Sequence, residues 1–259
     1  FKNYDVNNHI KKIREETGKW PNHSNRNRFD AYIFQSQRHF KMACAWGHDP
    51  KKTFIWGSAR FDPKWSKINL ELMDRYKPKI IKNKILKIVF FMPHWSYNVN
   101  VDKTIECIRK ILIDNSILLV VKGHTRGTGS LIGKNIESLK KYKNIIINEN
   151  AHSPSLIQWS DIVINFGSSI GIEAILQKKK IINPIFLHSN TTIFDNNNLT
   201  HVANNIDEVL RLIKKLKSKK SNLPKKNLVK NFMNLEVFAG SEGTDILEKY
   251  YQNITNKIN

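Results

Sequence analysis

The sequence predicts an α/β protein built around a doubly wound, parallel β-sheet. Between residues 85 and 187, short apolar runs alternate with longer stretches whose apolar residues recur at helical spacing. Such alternation is typical of parallel strands joined by crossover helices. Turn-forming residues end the runs, notably Pro93 and Gly167, and so mark where the strands should stop.

Five strands of this sheet are predicted from the apolar runs, with helices between them. The strands cover residues 85–92, 117–121, 145–147, 161–165 and 181–186. The helices cover residues 101–114, 131–142 and 153–159, and one more begins at Ser168–Ser169. Ser153 and Pro154 support the third helix, because serine caps a helix and proline suits its first turn.

Three regions are predicted along the chain: an N-terminal segment, a nucleotide-donor-binding sheet domain, and C-terminal helices that pack on the sheet. Their boundaries are residues 1–78, 79–205 and 206–259, with a basic linker at 79–84. Outside the sheet, strands are predicted at 29–34 and 53–56 and helices at 35–46, 206–216 and 244–254.

The composition is that of a globular protein with an unusually high positive charge. Hydrophobic residues make up 40% of the 259 residues, and no apolar run is long enough to span a membrane. The two cysteines, Cys44 and Cys107, lie far apart. This indicates a reducing compartment and provides no spacing for a cysteine metal site.

The formal net charge of +21 favours an anionic partner, such as nucleic acid, anionic lipid or a phosphate-bearing substrate. AT-rich coding explains the charge equally well, because Lys, Asn and Ile are all abundant and the lysines are scattered. The sequence contains no nucleic-acid-binding motif, so no specific nucleic acid is predicted as a partner.

The segment Gly167-Ser168-Ser169 carries the first functional prediction. It follows a predicted strand and opens a predicted helix, where backbone N–H groups and the helix dipole favour an anion. Glu173 lies one turn further along the same helix face, where it can accept hydrogen bonds from sugar hydroxyls. An ordinary N-cap would give the same local pattern if it is followed by an acidic residue that interacts favourably with the helix dipole. Both interpretations therefore stay open.

Four more polar side chains follow the other predicted strands: His94, Lys122, His124 and Arg126. Ligands of doubly wound sheets bind beyond the carboxyl ends of the strands, so these side chains should converge with the Gly167–Ser169 turn. Their convergence predicts an anion-binding cleft. For His94, a core or capping role is the competing interpretation.

Several segments, taken in order, carry a family resemblance. Gly57–Asp62 is similar to a Gly-x-Pro-Arg-x-Asp pattern, with Ala59 at the proline. The other segments are Phe91–Trp95, Lys122–Arg126, Ser160–Ser169 and Gly240–Thr244. Together, over about residues 29–250, they resemble the CDP-glycerol glycerophosphotransferases and related capsule polysaccharide glycosyltransferases of the GT-B fold.

This resemblance implies the C-terminal half of a GT-B fold with an incomplete N-terminal domain. It also implies a metal-independent transferase of cell-surface polysaccharide biosynthesis, which needs no cofactor. The donor would be a CDP-, CMP- or UDP-linked sugar or glycerophosphate, and the acceptor a saccharide or lipid-linked chain. Such an enzyme would be cytoplasmic, in peripheral contact with anionic lipid at the inner face of the cell membrane.

The resemblance also implies roles for individual residues. The implied catalytic residues are His94 and His124. The implied donor-binding residues are Lys122, Arg126, Gly167, Ser168, Ser169, Glu173 and Arg60. His124 and Arg126 would contact phosphates, the serine turn would bind the pyrophosphate, and Glu173 would bind the ribose.

One departure from the family pattern bears on the donor. Glu173-Ala174 replaces the aspartate typical of glycerophosphotransferases and is more similar to nucleotide-sugar glycosyltransferases. Two alternatives stay open at this point. One is a GT-B-like sugar-nucleotide epimerase, although such enzymes usually carry Ser-Gly-Gly and paired glutamates. The other is a non-enzymatic, basic polyanion-binding protein.

Overall fold

The structure, a computed structural model, describes most of the chain in separate stretches. They are residues 24–71, 86–93, 98–124, 134–148, 151–195, 197–217, 223–240 and 245–258. The chain forms two compact units, one of residues 1–68 with 225–259 and the other of residues 69–224. The domain boundaries at 78 and 205 stay a prediction, and the units group the chain differently, with the residues after 224 in the first unit. The predicted linker at 79–84 lies outside the described residues.

The secondary structure of the described residues is mixed α/β. The strands are β1 (Tyr32–Phe34), β2 (Thr53–Ile55), β3 (Leu86–Phe91), β4 (Ile117–Lys122), β5 (Ile145–Asn148), β6 (Ile162–Asn165), β7 (Lys180–Pro184) and β8 (His201–Ala203). The helices are α1 (Gln37–Ala45), α2 (Pro63–Glu71), α3 (Val101–Leu112), α4 (Lys134–Glu137), α5 (Ser153–Trp159), α6 (Ile170–Leu176), α7 (Ile206–Lys217), α8 (Lys226–Glu236) and α9 (Ile246–Ile258). Short 3-10 turns lie at Ser24–Arg28, Pro50–Lys52, Ala59–Phe61 and Ile185–Leu187.

The second unit contains a six-stranded sheet in the order β5-β4-β3-β6-β7-β8, and every neighbouring pair is parallel. The predicted fold class, a doubly wound parallel sheet, is therefore confirmed. Strand β8 was not predicted. Residues 185–187 form a 3-10 turn, although residues 185 and 186 were predicted to belong to the strand at 181–186.

Helices cover both faces of this sheet. On one face, Ile88, Phe90 and Leu119 belong to a buried cluster that also contains residues of α3 and α7. On the other face, α5 packs against β3, and α6 packs against β6 and β7. Successive side chains of a strand point to opposite faces of the sheet. Alternate residues of each buried strand therefore pack against the helices on one face or on the other.

Helix α3 illustrates why these segments fold as they do. The side chain of Asn100 accepts a hydrogen bond from Lys103 N at 3.0 Å and so caps the first turn. Ile105, Ile108 and Ile111 recur at helical spacing and are fully or almost fully buried against the sheet. Truncating a buried isoleucine to alanine costs about 2–5 kcal/mol, so this stripe is what holds the helix in place.

The first unit is built on a two-stranded parallel sheet of β1 and β2. Asp62, which is fully buried, joins two of its helices. One carboxylate oxygen accepts from Lys64 N at 2.8 Å in the first turn of α2, and the other accepts from Ile246 N at 3.1 Å at the start of α9. Residues distant in sequence therefore meet at the carboxyl end of β2.

Candidate functional site

The order of strands in the sheet identifies the edge where a ligand is expected. Strands β3, β4 and β5 run outward in one direction, and β6, β7 and β8 run outward in the other. The order therefore reverses between β3 and β6. In open parallel sheets, ligands bind in the crevice beyond the carboxyl ends of the strands at this reversal. The Gly167–Ser169 turn follows β6 directly and so lies at this point.

Three buried polar side chains lie along this edge and are here called the polar row: Lys122, Asn165 and Asn183. Their exposed fractions are 1%, 2% and 2%. Phe91 pairs with both Lys122 and Asn165, and Asn183 directly follows Ile182, the partner of Ile164. The three residues therefore occupy one register level across the ends of β4, β6 and β7, on the sheet face opposite Leu119 and Phe90.

Lys122 brings an amino group to the buried edge. Its Nζ donates a hydrogen bond to the carbonyl oxygen of Gly123 at 2.8 Å. His124 follows two residues after Lys122 and is half-buried. The end of β4 thus supplies an amino group and an imidazole beside the crevice.

The turn after β6 is held by a pair of hydrogen bonds. Ser168 Oγ donates to Asn165 Oδ1 at 2.8 Å, and Asn165 Nδ2 donates to the carbonyl oxygen of Ser168 at 3.2 Å. Ser168 and Ser169 remain exposed. Ser169 is the N-cap residue of α6 but makes no side-chain cap hydrogen bond. The serine side chains therefore do not cap the helix, and the hydroxyl proton of Ser168 is already donated within the protein.

Gly167 is required by both its conformation and its surroundings. Its φ angle is +76°, in the left-handed region that side chains disfavour. A Cβ built at this position would lie 2.2 Å from Cγ2 of Thr192. The turn therefore packs directly on the segment that follows β7, and a larger residue would push the two apart.

The segment that packs on Gly167 is itself stiffened by hydrogen bonds. Thr192 N donates to Asp195 Oδ2 at 2.8 Å, and Thr192 Oγ1 donates to Asp195 Oδ1 at 2.7 Å. Phe194, which is buried, packs close to Gly171 in α6. The sequence analysis did not assign this segment to the site, because its nearness to Gly167 follows only from the fold.

Glu173 lies in the first turn of α6 and is half-buried. A carboxylate there complements the positive end of the helix dipole. Since α6 begins directly after the Gly167–Ser169 turn, Glu173 sits one helical turn behind the exposed serines.

The structure brings several of the predicted site residues together at one edge of the sheet. Six of them lie at the carboxyl edge of the sheet or in the first turn of α6: Lys122, His124, Gly167, Ser168, Ser169 and Glu173. Arg60 lies in the first unit, in the 3-10 turn after β2. His94 and Arg126 lie outside the described residues. The ligand-binding roles of all these residues stay predictions.

Two residues of the polar row, Asn165 and Asn183, were missed by the sequence analysis. Asn165 ends the predicted strand 161–165, and Asn183 lies within the predicted strand 181–186. A single asparagine at either position does not by itself indicate a site. The pattern becomes visible only when the strand order places them side by side.

Two further properties concern metals and membranes. Among the residues that the structure describes, no group of three or more His, Cys, Asp or Glu side chains is arranged to hold a metal ion. In the same part of the chain, no helix is both long enough and apolar enough to cross a bilayer.

Comparison with known proteins shows the fold. No family model and no curated protein matches the sequence. Similar solved structures include the UDP-GlcNAc 2-epimerase of Methanocaldococcus jannaschii in complex with UDP-GlcNAc and UDP, with a TM-score of 0.57 and 16% identity over 86% of this chain and 61% of that one. The UDP-GlcNAc 2-epimerase of Neisseria meningitidis bound to UDP-GlcNAc has a TM-score of 0.57 and 11% identity, and covers 88% of this chain and 61% of that one.

A third similar structure is the wall teichoic acid polymerase TagF, with a TM-score of 0.54 and 14% identity over 96% of this chain and 63% of that one. The chain spans about three fifths of the length of each of these structures. They have the GT-B fold, and the sheet described above is Rossmann-like, as theirs is. At these identities, the likeness establishes the fold alone.

Proposed function

We propose that the second unit binds the nucleoside diphosphate part of a nucleotide-activated donor at the carboxyl edge of its sheet. We further propose that the protein transfers the activated sugar or glycerophosphate to a saccharide or lipid-linked acceptor in cell-surface polysaccharide biosynthesis. One observation carries the proposal. The Gly167–Ser169 turn lies where the strand order reverses, and Asn165 holds it there with its serines exposed.

The chemistry of this edge suits a diphosphate. The turn offers backbone N–H groups, and the buried Lys122 adds an amino group that becomes a strong donor when a bound phosphate favours its charged form. His124 adds a side chain that can donate a hydrogen bond. These groups would stabilise the negative charge that grows on a departing nucleotide, which is the principal requirement for transfer without a metal.

The similar structures support a nucleotide ligand. Those of the epimerases contain UDP-GlcNAc, with UDP as well in one of them, and one TagF structure was obtained with CDPG. Glu173 would accept hydrogen bonds from the ribose hydroxyls, since it lies one turn behind the phosphate-binding turn. A thermal-shift panel of CDP, CMP, UDP and GDP would identify the base, because a ligand that binds the native state raises its stability.

A second candidate function is sugar-nucleotide epimerisation. It is favoured by the fact that several of the similar structures are UDP-GlcNAc 2-epimerases. Product analysis separates the two functions. An epimerase converts UDP-GlcNAc without any acceptor, whereas a transferase releases nucleotide only when an acceptor is supplied.

The role of Glu173 provides the direct test of the nucleotide site. Glu173→Ala should weaken UDP binding about tenfold or more, the equivalent of a charge-assisted hydrogen bond, and should leave pyrophosphate binding unchanged. Both ligands would be titrated calorimetrically. Glu137→Ala, which removes an exposed acid of the same unit, is the matched control and should bind both ligands as the parent does. Equal loss of UDP and pyrophosphate would rule out the ribose role.

A further inference from the structure

A cavity of about 370 Å³ lies in the first unit, beyond the carboxyl ends of the parallel strands β1 and β2. Its polar lining includes Gln35, His39, Ser58, Arg60 and Tyr250, and Phe34 contributes an apolar wall. This volume is within the range of small-molecule sites. Of the predicted donor-binding residues that the structure describes, Arg60 alone lines the cavity.

Hydrogen bonds between distant parts of the first unit fix the walls of the cavity. Tyr250 Oη donates to the carbonyl oxygen of Gly57 at 2.7 Å, and Gln35 Nε2 donates to that of Glu236 at 2.8 Å. Ser58 N donates to the carbonyl oxygen of Val237 at 2.8 Å. The cavity is therefore preformed, so a ligand does not have to order its walls.

The charge of the lining favours an anion. Arg60 is exposed and carries a fixed positive charge, and its guanidinium carbon lies 5.3 Å from the centre of the Phe61 ring. None of the described residues that line the cavity is acidic. The neighbouring carboxylate of Glu236 is held by Arg38 Nε at 3.0 Å, so its charge is already compensated.

His39 contributes a neutral polar group. Burial and the nearby charge of Arg38 lower the pKa of His39 to about 4, so the ring is uncharged at neutral pH. Its Nδ1 lies 2.8 Å from Ser36 Oγ. A neutral imidazole donates one hydrogen bond and accepts another, which suits a hydroxyl group. The amide of Gln35 and the hydroxyl of Ser58 can likewise both donate and accept hydrogen bonds.

We propose that this cavity of the first unit binds the phosphate monoester of a small sugar or polyol. Arg60 would hold the phosphate, and Gln35, Ser58 and His39 would bind the hydroxyl groups. The C–H groups of such a ligand would pack against the apolar side chain of Phe34. The proposal rests on the first unit alone and does not depend on the nucleotide site.

Calorimetric titration of the full chain tests the proposal, with glycerol 3-phosphate and glucose 6-phosphate as probes. At least one of them should bind more tightly than inorganic phosphate, and glycerol and glucose should bind least. Arg60→Gln should weaken the binding of that probe about tenfold or more, because it removes a charge-assisted contact to phosphate. Arg28→Gln removes an equal charge from an exposed position in the same unit and should have no effect.

A second variant tests whether the sugar phosphate occupies this cavity. Ala59→Phe should abolish sugar-phosphate binding by filling the cavity, while UDP binding and the melting temperature stay at the values of the parent. Glu173→Ala should bind the sugar phosphate normally, so failure of the nucleotide proposal would leave this one standing.

Three results would overturn the proposal. The first is that neither sugar phosphate binds at millimolar concentration, and the second is that inorganic phosphate binds as tightly as both. The third is that Arg60→Gln loses UDP and sugar phosphate equally, which would instead place Arg60 in the nucleotide site.

Discussion

Asn165 and Asn183 end neighbouring strands and are equally buried, yet their hydrogen bonding differs. Asn165 uses both its amide oxygen and its amide nitrogen to hold Ser168. Neither amide atom of Asn183 has a hydrogen-bond partner among the described residues. A buried amide without partners costs about 1–3 kcal/mol, so Asn183 is where a bound ligand or ordered water would complete the polar row.

Substitution of each asparagine by leucine should therefore have opposite effects on stability. Asn183→Leu should raise the free energy of unfolding by about 1–3 kcal/mol, because an amide without partners is replaced by an apolar group of similar size. Asn165→Leu should lower it by a similar amount, because the Ser168 hydroxyl and carbonyl lose their partners. Denaturant unfolding of both variants measures this. A loss of stability in Asn183→Leu would show that its amide is satisfied in solution.

The second prediction at the scale of single residues concerns His39. Burial and Arg38 lower its pKa from 6.5 to about 4, so the folded protein resists protonation there while the unfolded chain does not. Below pH 6.5 the unfolded state therefore binds more protons at this site, and stability falls as the pH is lowered towards 4. The loss is at most about 3 kcal/mol, from 1.36 kcal/mol for each pKa unit.

His39→Gln should remove this dependence. Between pH 7 and pH 4 the parent should lose more stability than the variant, with the difference approaching the bound given above. Urea unfolding at several pH values measures the difference, and NMR titration of the His39 ring reports its midpoint directly. Parallel stability curves for the two proteins would contradict the prediction.

At the scale of elements, the packing of the Gly167 turn against the Thr192 segment can be tested with two glycines. Gly167 and Gly240 both have a positive φ, of +76° and +82°. A Cβ at Gly167 would lie 2.2 Å from Thr192, whereas a Cβ at Gly240 would meet no described residue within 4 Å. Gly240 therefore reports the backbone cost alone.

Gly240→Ala should cost about 1 kcal/mol, the penalty for a side chain in the left-handed region. Gly167→Ala should cost more, and it should also weaken UDP binding about tenfold because the turn must move. Thermal unfolding and UDP titration of both variants check this. If both variants lose the same stability and bind UDP as the parent does, the turn does not depend on the contact with Thr192.

Much of the sheet could be predicted from the sequence, because β3 to β7 are apolar runs separated by helical patterns. Strand β8 could not, since His201–Ala203 is too short to show a period. Helices α2 and α8 were also missed. Helix α5 has the predicted bounds, Ser153–Trp159, and α6 begins at Ile170, directly after the predicted start at Ser168–Ser169.

The candidate site was predictable to a lesser extent. Lys122 and the Gly167–Ser169 turn could be named because each ends a recognisable apolar run. The polar row depends on which strands are neighbours, and apolar periodicity does not determine strand order. The cavity at Arg60 depends on Tyr250 and Glu236, which are remote in sequence from β1 and β2, so no local pattern could reveal it.

At the scale of the whole molecule, the principal feature is the excess of positive charge. The chain has 43 Lys and Arg residues against 22 Asp and Glu residues. Helix α7 is an example of how this charge is presented, with Lys214, Lys215 and Lys217 exposed in its last turn. Basic residues near an anionic membrane each contribute about 1 kcal/mol of attraction, so a few of them suffice for peripheral binding.

We therefore expect the protein to bind vesicles that contain anionic lipid at low salt and not to bind neutral vesicles. The attraction is electrostatic, and salt shortens its range from about 10 Å at 0.1 M to about 3 Å at 1 M, so added salt should release the protein. Flotation with both kinds of vesicle over a salt series measures this. Binding to neutral vesicles at high salt would indicate an apolar contact instead. Absence of binding to anionic vesicles at low salt would show that the charge serves no membrane contact and would leave AT-rich coding as its explanation.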